Sequence, residues 1–109
     1  MIYSLKYVDS LSEGVGGRAQ MWFITILRKY QSDTGILAHE KEHVRQFWTL
    51  GLFHGLLYRF SKKYRLWAEV KAYKMQLKYS PQYLDFYAQR MTEMYNIGVS
   101  KEEIIEKLK

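Results

Sequence analysis

Two histidines lie four positions apart, at His39 and His43, in a segment whose apolar residues recur with helical spacing. Residues four apart on a helix lie one turn above each other on the same face. Ile36 and Phe47 share that face, so both imidazole rings are expected near the core of the protein. Histidines withdrawn from water need polar partners. The chain must therefore fold so that a second element brings a partner to both rings.

The residue after the first histidine completes the pattern His-Glu-x-x-His, with the glutamate at Glu40. This pattern is typical of a helix that binds zinc through both histidines, while the glutamate accepts a proton from a water molecule that the metal activates. Imidazole nitrogens bind zinc at roughly 2.0–2.1 Å, and both rings can meet that distance from one helix face. We predict His39 and His43 as zinc ligands and Glu40 as the catalytic base. The alternative is a solvated helix face on which two histidines occur four apart by chance.

A catalytic zinc ion usually has three protein ligands and one open position, so a third ligand is needed. Position 49 is Thr, which excludes the class of zinc enzymes that carry a third histidine six residues after the second. His54 is on the same predicted helix as His43, three turns or about 16 Å away, too far for one ion. We therefore expect His54 to be an ordinary histidine in an aromatic stretch. It could be the fourth ligand of a closed, structural zinc site only if the first helix broke around Gly51.

Glu69 is the only acidic residue between the histidine motif and Asp85. It lies in a helical segment 26 residues after His43, and the intervening chain leaves room for a turn. An antiparallel second helix would therefore bring Glu69 alongside the first. Two histidines and one glutamate form a known ligand set for catalytic zinc. We predict Glu69 as the third ligand; the alternative is a surface ion pair between Glu69 and Arg65 or a nearby lysine.

The residues around these positions extend the pattern, because His39-Glu40-x-x-His43 is followed by Val44-Arg45-Gln46, and Glu69 by Ala72-Tyr73. In this order they resemble the small gluzincin-type zinc metallopeptidase domains of bacteria and phages. Residues 18–22 resemble the entry to the strand that precedes the active-site helix in such domains. The likeness covers roughly residues 14–78.

The resemblance implies a minimal zincin-like core of the α+β class, in which a short sheet packs on the active-site helix and a second helix supplies a glutamate. It implies that His39, His43 and Glu69 hold Zn²⁺ and that Glu40 is the general base. It also places the edge of the second predicted strand beside the zinc, where that strand would hold the backbone of an extended peptide.

Tyr73 lies one turn after Glu69, on the same face of the second helix. The oxyanion that develops during hydrolysis needs a hydrogen-bond donor besides the metal, so we predict Tyr73 as a catalytic residue. Arg45 and Gln46 are expected to brace the first helix or the strand next to it. The predicted function is the zinc-dependent hydrolysis of a peptide or protein substrate.

Residue patterning predicts a short N-terminal β-hairpin or small sheet followed by a helical C-terminal half. β-branched and aromatic residues predict two paired strands at residues 2–9 and 21–27, with a loop at 12–18. Capping residues, glycines and the single proline predict helices at residues 34–58, 62–79, 80–98 and 101–108.

The length of 109 residues predicts a single domain, 1–109, large enough to form a core. No secretory signal or bilayer-length apolar run is visible, and the chain has no cysteine, so a cytoplasmic protein without a transmembrane segment is expected. The net charge of +6 comes largely from basic residues between Arg59 and Lys78, which are interleaved with aromatic residues. Such a region leaves two alternatives to a peptidase open, a non-catalytic zinc-binding module and a module that binds nucleic acid or a membrane surface.

Overall fold

Three short strands form a sheet near the start of the chain, and five helices follow in the computed structural model, which describes residues 1–109. The strands are β1 (Ser4–Val8), β2 (Gly17–Gln20) and β3 (Phe23–Leu27). The helices are α1 (Thr34–Leu50), α2 (Leu52–Phe60), α3 (Lys62–Leu77), α4 (Leu84–Met94) and α5 (Lys101–Leu108). This architecture confirms the predicted α+β class. None of the helices combines the length and apolar composition that a membrane span requires.

The central strand of the sheet is β3, which runs parallel to β1 and antiparallel to β2. The predicted pairing of the first strand with residues 21–27 is therefore confirmed. The loop predicted at residues 12–18 ends too late, because Gly17–Gln20 already pairs with β3. The prediction that the second strand offers an edge to a peptide is wrong, since β3 has a neighbour on each side. The two edge strands of the sheet are β1 and β2.

The long helix predicted at residues 34–58 is interrupted at Gly51. This glycine has a φ of 62° and a ψ of −139°, a conformation that costs any residue with a β-carbon considerable strain. Its backbone N–H still bonds to the Phe47 carbonyl, which closes α1 before the chain turns. The segment that follows, α2, packs against both α1 and α3. The interruption thus brings residues of α2 towards residues of α1 that a continuous helix would keep apart.

The most extensive helix contact is between α1 and α3. Gly35 near the start of α1 lies beside Gln76 near the end of α3, while Gln46 near the end of α1 bonds to Ala68. The two helices are therefore antiparallel, as predicted. Ala68 and Ala72 are completely buried, and small side chains at such positions let two helices approach closely. The inner face of β3 covers α1 from the other side, with Ile24 and Ile26 against Val44 and other apolar residues.

A second apolar cluster holds the C-terminal helices together. Its buried members come from α3, α4, α5 and the segment before α5, and they are Tyr73, Tyr87, Ala88, Met91, Ile97, Ile104 and Leu108. The cap predicted for α5 is present, because the Ser100 side chain accepts a hydrogen bond from the Glu103 backbone N–H. This cluster fixes α3 from its far side, so that α3 is held between α1 and the C-terminal helices.

Candidate metal centre

The antiparallel packing of α1 and α3 brings His39, His43 and Glu69 to one point. His39 Nε2 lies 3.3 Å from Glu69 Oε1, and His43 Nε2 lies 3.2 Å from Glu69 Oε2. One ligand atom from each residue lies within 4.8 Å of the others. A tetrahedral zinc ion with ligands at 2.0–2.1 Å keeps neighbouring ligand atoms about 3.3 Å apart. The three side chains are therefore close enough together to hold one metal ion.

The three side chains are withdrawn from solvent. Glu69 is 2% exposed and His39 5%, while the His43 side chain is 11% exposed. The alternative of a surface ion pair between Glu69 and Arg65 is excluded, because Arg65 donates its hydrogen bonds to backbone carbonyls instead. These acceptors are the carbonyls of Tyr58, Arg59, Tyr95 and Asn96. Glu69 therefore faces the histidines.

Two atoms of this cluster are buried without a hydrogen-bond partner, Glu69 Oε1 and His39 Nδ1. A buried carboxylate oxygen without a partner is costly, so it needs an explanation. A divalent cation between the two Nε2 atoms and the carboxylate would provide the missing partner for Oε1. The donor set, two imidazoles and one carboxylate, is one that zinc accepts. The residues present therefore fit a bound metal ion.

Electrostatic interactions keep the Glu69 carboxylate ionised. Burial raises its pKa, but the nearby His43 and His39 outweigh that effect and hold the pKa well below its usual range. For His43, burial lowers the pKa, and the charge of Glu69 and their contact outweigh burial to raise the pKa to about 9. The metal-free cluster therefore holds itself together as a protonated histidine beside a carboxylate. A metal ion would take the place of that proton, since a histidine ligand must offer a free lone pair.

Gln46 orients one of the histidine rings. Its Oε1 lies 3.1 Å from His43 Nδ1, while its Nε2 donates to the Ala68 carbonyl at 3.1 Å and to Glu42 Oε2 at 3.2 Å. Because the amide nitrogen is engaged as a donor, the amide oxygen faces His43 and accepts the Nδ1 proton. That leaves His43 Nε2 to face the cluster. Gln46 thus connects α1 to α3, next to Glu69, which goes beyond the bracing role expected from the sequence.

The other residue expected to brace α1, Arg45, pairs with Glu42 on the same helix, at distances of 2.8 and 2.6 Å. Arg45 itself is exposed. The ion pair contacts Gln46 through Glu42, so it holds the amide from its other side. The positioning role of Gln46 was missed in the sequence, although its place three residues after His43 on one helix face was a usable signal.

The Glu40 side chain lies beside a cavity of about 410 Å³. Burial raises the pKa of Glu40 above its usual value. The backbone of β2 passes close to it, because a β-carbon at Gly17 would lie 3.3 Å from Glu40 Oε2. The same cavity is lined by His39 and Tyr73, and by aromatic side chains that include Tyr30, Tyr83, Phe86, Tyr87 and Tyr95. Glu40 therefore borders the same cavity as the predicted ligand His39.

Tyr73 packs directly against a predicted ligand. Its ring meets the His39 ring edge-on, with the ring centres 4.4 Å apart, and its hydroxyl oxygen lies 3.1 Å from that of Tyr95. Burial raises the pKa of Tyr73 to about 12, so the hydroxyl keeps its proton. The structure thus places Tyr73 at the cavity beside His39, and its catalytic role stays a prediction.

The residues that α2 adds to the site were not expected. Because the chain turns at Gly51, the His54 ring centre lies 6.4 Å from that of His43, and the separation of about 16 Å expected from a continuous helix is wrong. His54 Nδ1 lies 2.6 Å from the Tyr64 hydroxyl. The Tyr58 hydroxyl donates to Glu69 Oε2. A smaller cavity of about 230 Å³ lies on this side, lined by His43, His54, Tyr58 and neighbouring residues.

Comparison with protein-family models, curated proteins and solved structures found no match to this chain. The resemblance to gluzincin-type domains therefore stays a prediction based on the histidine motif and Glu69. Any function has to be argued from the geometry of these side chains and of the cavities beside them.

Proposed function

We propose that this protein is a zinc-dependent hydrolase that cleaves peptide bonds. The observation that supports the proposal is the convergence of His39 Nε2, His43 Nε2 and the Glu69 carboxylate at ligand spacing. Glu40 lies next to these ligands, on a cavity large enough for part of a substrate. A metal site alone needs only ligands, whereas a hydrolase also needs a base beside an open space.

The ligand set supports zinc in a catalytic rather than a structural role. Structural zinc sites have four protein ligands, usually including thiolates, and the chain has no cysteine. Three protein ligands leave one coordination position open, as in catalytic sites. When bound, zinc would supply a Lewis acid that acidifies water and polarises a carbonyl group.

The remaining steps fall to side chains of this chain. Glu40 accepts the proton of the attacking water and passes it to the leaving amine, since its side chain lies beside the predicted ligands on the cavity. Gln46 keeps the His43 ring in place. Tyr73, whose ring packs against that of His39 in the cavity wall, would donate a hydrogen bond to the developing oxyanion.

The free edge of β2 supports a peptide as the substrate. One side of the β2 backbone is unpaired, and β2 touches Glu40 through Gly17. An extended peptide can add to such an edge through backbone hydrogen bonds, with its side chains in the aromatic cavity. A peptide bond would then lie next to the base. We therefore assign the substrate-holding role to β2 and not to β3, which has no free edge.

The first test is the metal content of the protein after purification without chelators. We expect one zinc per chain in the wild type and clearly less in Glu69→Gln. Glu40→Gln should keep the metal but lose hydrolysis of a peptide library by about 10²–10⁴-fold, the usual contribution of a general base. Glu102→Gln, a change of the same kind at an exposed residue of α5, is the matched control and should stay active. Absence of zinc uptake, or full activity of Glu40→Gln, would contradict the proposal.

A further inference from the structure

The outer face of α2 is strongly apolar and open to solvent. Its five large apolar residues are between 40% and 75% exposed, and we call them the α2 apolar face: Leu52, Phe53, Leu56, Leu57 and Phe60. At 100° per residue they occupy an arc of about 140° on the helix surface. His54 and Tyr58 lie outside this arc and face the metal centre. No residue of α2 is fully buried.

Such a face needs an explanation. Scattered exposed apolar residues are ordinary, but a continuous apolar face on one helix marks a surface that binds something. On the inner side of the same helix, His54 and Tyr58 form hydrogen bonds with Tyr64 and Glu69. The apolar side contributes nothing comparable to the core, so stability of the fold does not account for it.

The chain on either side of α2 is rich in basic residues. Between His43 and Leu84 the only acidic residue is Glu69, which is buried at the metal centre. The same stretch contains eight basic residues: Arg45, Arg59, Lys62, Lys63, Arg65, Lys71, Lys74 and Lys78. Arg59 lies in the last turn of α2, next to Phe60, and Lys62 and Lys63 follow this helix; all three are exposed. The Arg59 guanidinium lies over the Phe60 ring, 5.5 Å from its centre, so apolar and positive groups are adjacent.

We propose that α2 docks this protein onto the surface of an anionic lipid bilayer. A helix with an apolar face bordered by basic residues lies in the plane of such a surface, with the apolar side chains among the acyl chains and the basic ones at the headgroups. An anionic bilayer satisfies both properties of the face at once. It also suits side chains such as Arg59 and Lys62, whose long stems lie along apolar surface while their charges stay in water.

Two other occupants fit the face less well. A second copy of the chain would bring two surfaces without exposed acidic groups against each other, and like charges would oppose the contact. A nucleic acid would meet the basic residues, but its phosphates would gain nothing from five apolar side chains. Both occupants are outcomes that the experiment can detect.

Docking through this face has a consequence for the metal centre. His54 and Tyr58 point from the opposite side of α2 towards His43 and Glu69. The thickness of one helix, about 10 Å, would therefore separate the lipid headgroups from the ligands. The membrane proposal does not depend on the hydrolase proposal, because it concerns the other side of α2.

The test is co-sedimentation of the full chain with vesicles of phosphatidylcholine alone and of phosphatidylcholine mixed with phosphatidylserine. We expect binding to the mixed vesicles that falls at least about tenfold in Phe53→Ser/Phe60→Ser, since two rings no longer enter the bilayer. Lys62→Gln/Lys63→Gln should weaken binding about fivefold for each lysine. Tyr79→Ser, which removes a 57% exposed aromatic side chain at the end of α3, is the matched control and should bind like the wild type.

Circular dichroism checks that each variant is folded, and Leu52→Ser/Leu56→Ser provides an independent test should the first pair unfold. Equal binding to both kinds of vesicle, or unchanged binding of both apolar variants, would overturn the proposal. A wild-type dimer in light scattering that becomes monomeric in Phe53→Ser/Phe60→Ser would assign the face to a second copy instead. Salt-dependent retention on DNA without any vesicle binding would assign the basic surface to nucleic acid.

Discussion

Replacing Gln46 by leucine tests whether the metal centre depends on the amide that joins α1 to α3. Leucine has a similar volume but can neither accept the proton of His43 Nδ1 nor donate to the Ala68 carbonyl. The change therefore removes three hydrogen bonds, at 3.1, 3.1 and 3.2 Å, from a side chain that is 1% exposed. The His43 ring would lose the contact that fixes its orientation, while every predicted ligand stays in place.

Two magnitudes follow from these contacts. Each intramolecular hydrogen bond contributes about 0.5–1.5 kcal/mol net, so the free energy of unfolding should fall by about 2–4 kcal/mol. A domain of this size has about 5–15 kcal/mol in total, and the variant should therefore still fold. Loss of a hydrogen bond that orients a ligand usually weakens metal binding by about 10–100-fold. The two effects are separable, because the first is measured without metal and the second with it.

The assay is zinc affinity from competition with a coloured chelator, together with denaturant unfolding of the metal-free protein. Gln76→Leu is the matched control, since Gln76 is also buried but touches neither histidine. It should bind zinc like the wild type. Wild-type affinity in Gln46→Leu, combined with a clear loss of stability, would refute the argument, because the amide would then hold the helices together without orienting the ligand.

Two further predictions concern the turn between α1 and α2 and the protonation of the site. Gly51→Ala should lower the free energy of unfolding by about 1–3 kcal/mol, because the φ of 62° at this position strains any residue with a β-carbon. Gly55→Ala should raise it by about 0.5–1 kcal/mol, because this glycine lies within α2 and a β-carbon there would meet only open space. A denaturant titration that gives the same sign for both variants would contradict this. The pKa of His43 is raised to about 9 in the folded metal-free protein, so its pairing with Glu69 stabilises the fold fully below about pH 6.5 and is lost as the pH rises through 9. Chemical unfolding at several pH values should show that decline, and zinc binding near pH 7.5 should release about one proton, measurable by calorimetry in two buffers of different ionisation enthalpy. A flat stability profile without proton release would show that His43 is already neutral.

Much of the spatial arrangement of the site could be predicted because it depends on short-range geometry. The spacing of His39 and His43 places both rings on one face of any helix, whatever the rest of the fold does. Glu69 could be selected because the chain offers no other acidic residue nearby, and one turn is enough to bring α3 back along α1. Whether these residues bind zinc is a separate question, which the measurement of metal content proposed above would answer.

The contribution of α2 could not be predicted in the same way. Gly51 and Gly55 lie in one apolar stretch, and local propensity does not distinguish a glycine that ends a helix from one within it. The difference lies in tertiary contacts: ending α1 at Gly51 allows Tyr58 to reach Glu69 and His54 to reach Tyr64.

The strand β2 was missed for a related reason. Its sequence Gly17-Arg18-Ala19-Gln20 contains no β-branched or aromatic residue, so no local pattern indicates a strand. It forms because β3 offers backbone partners along its whole length. A strand defined by its neighbour rather than by its own side chains is not visible in a single sequence.

The absence of fully buried side chains in α2 has a consequence for how a metal ion would enter and leave the proposed site. Segments with few buried contacts open locally at a free energy far below that of global unfolding. Opening of α2 would detach Tyr58 from Glu69 and uncover His43, while α1, α3 and the ligands stay in place. Metal exchange would then proceed through this local opening, at a rate that depends on α2 and not on the stability of the core. A bound membrane surface, by holding α2 in place, would slow that exchange without touching a single ligand.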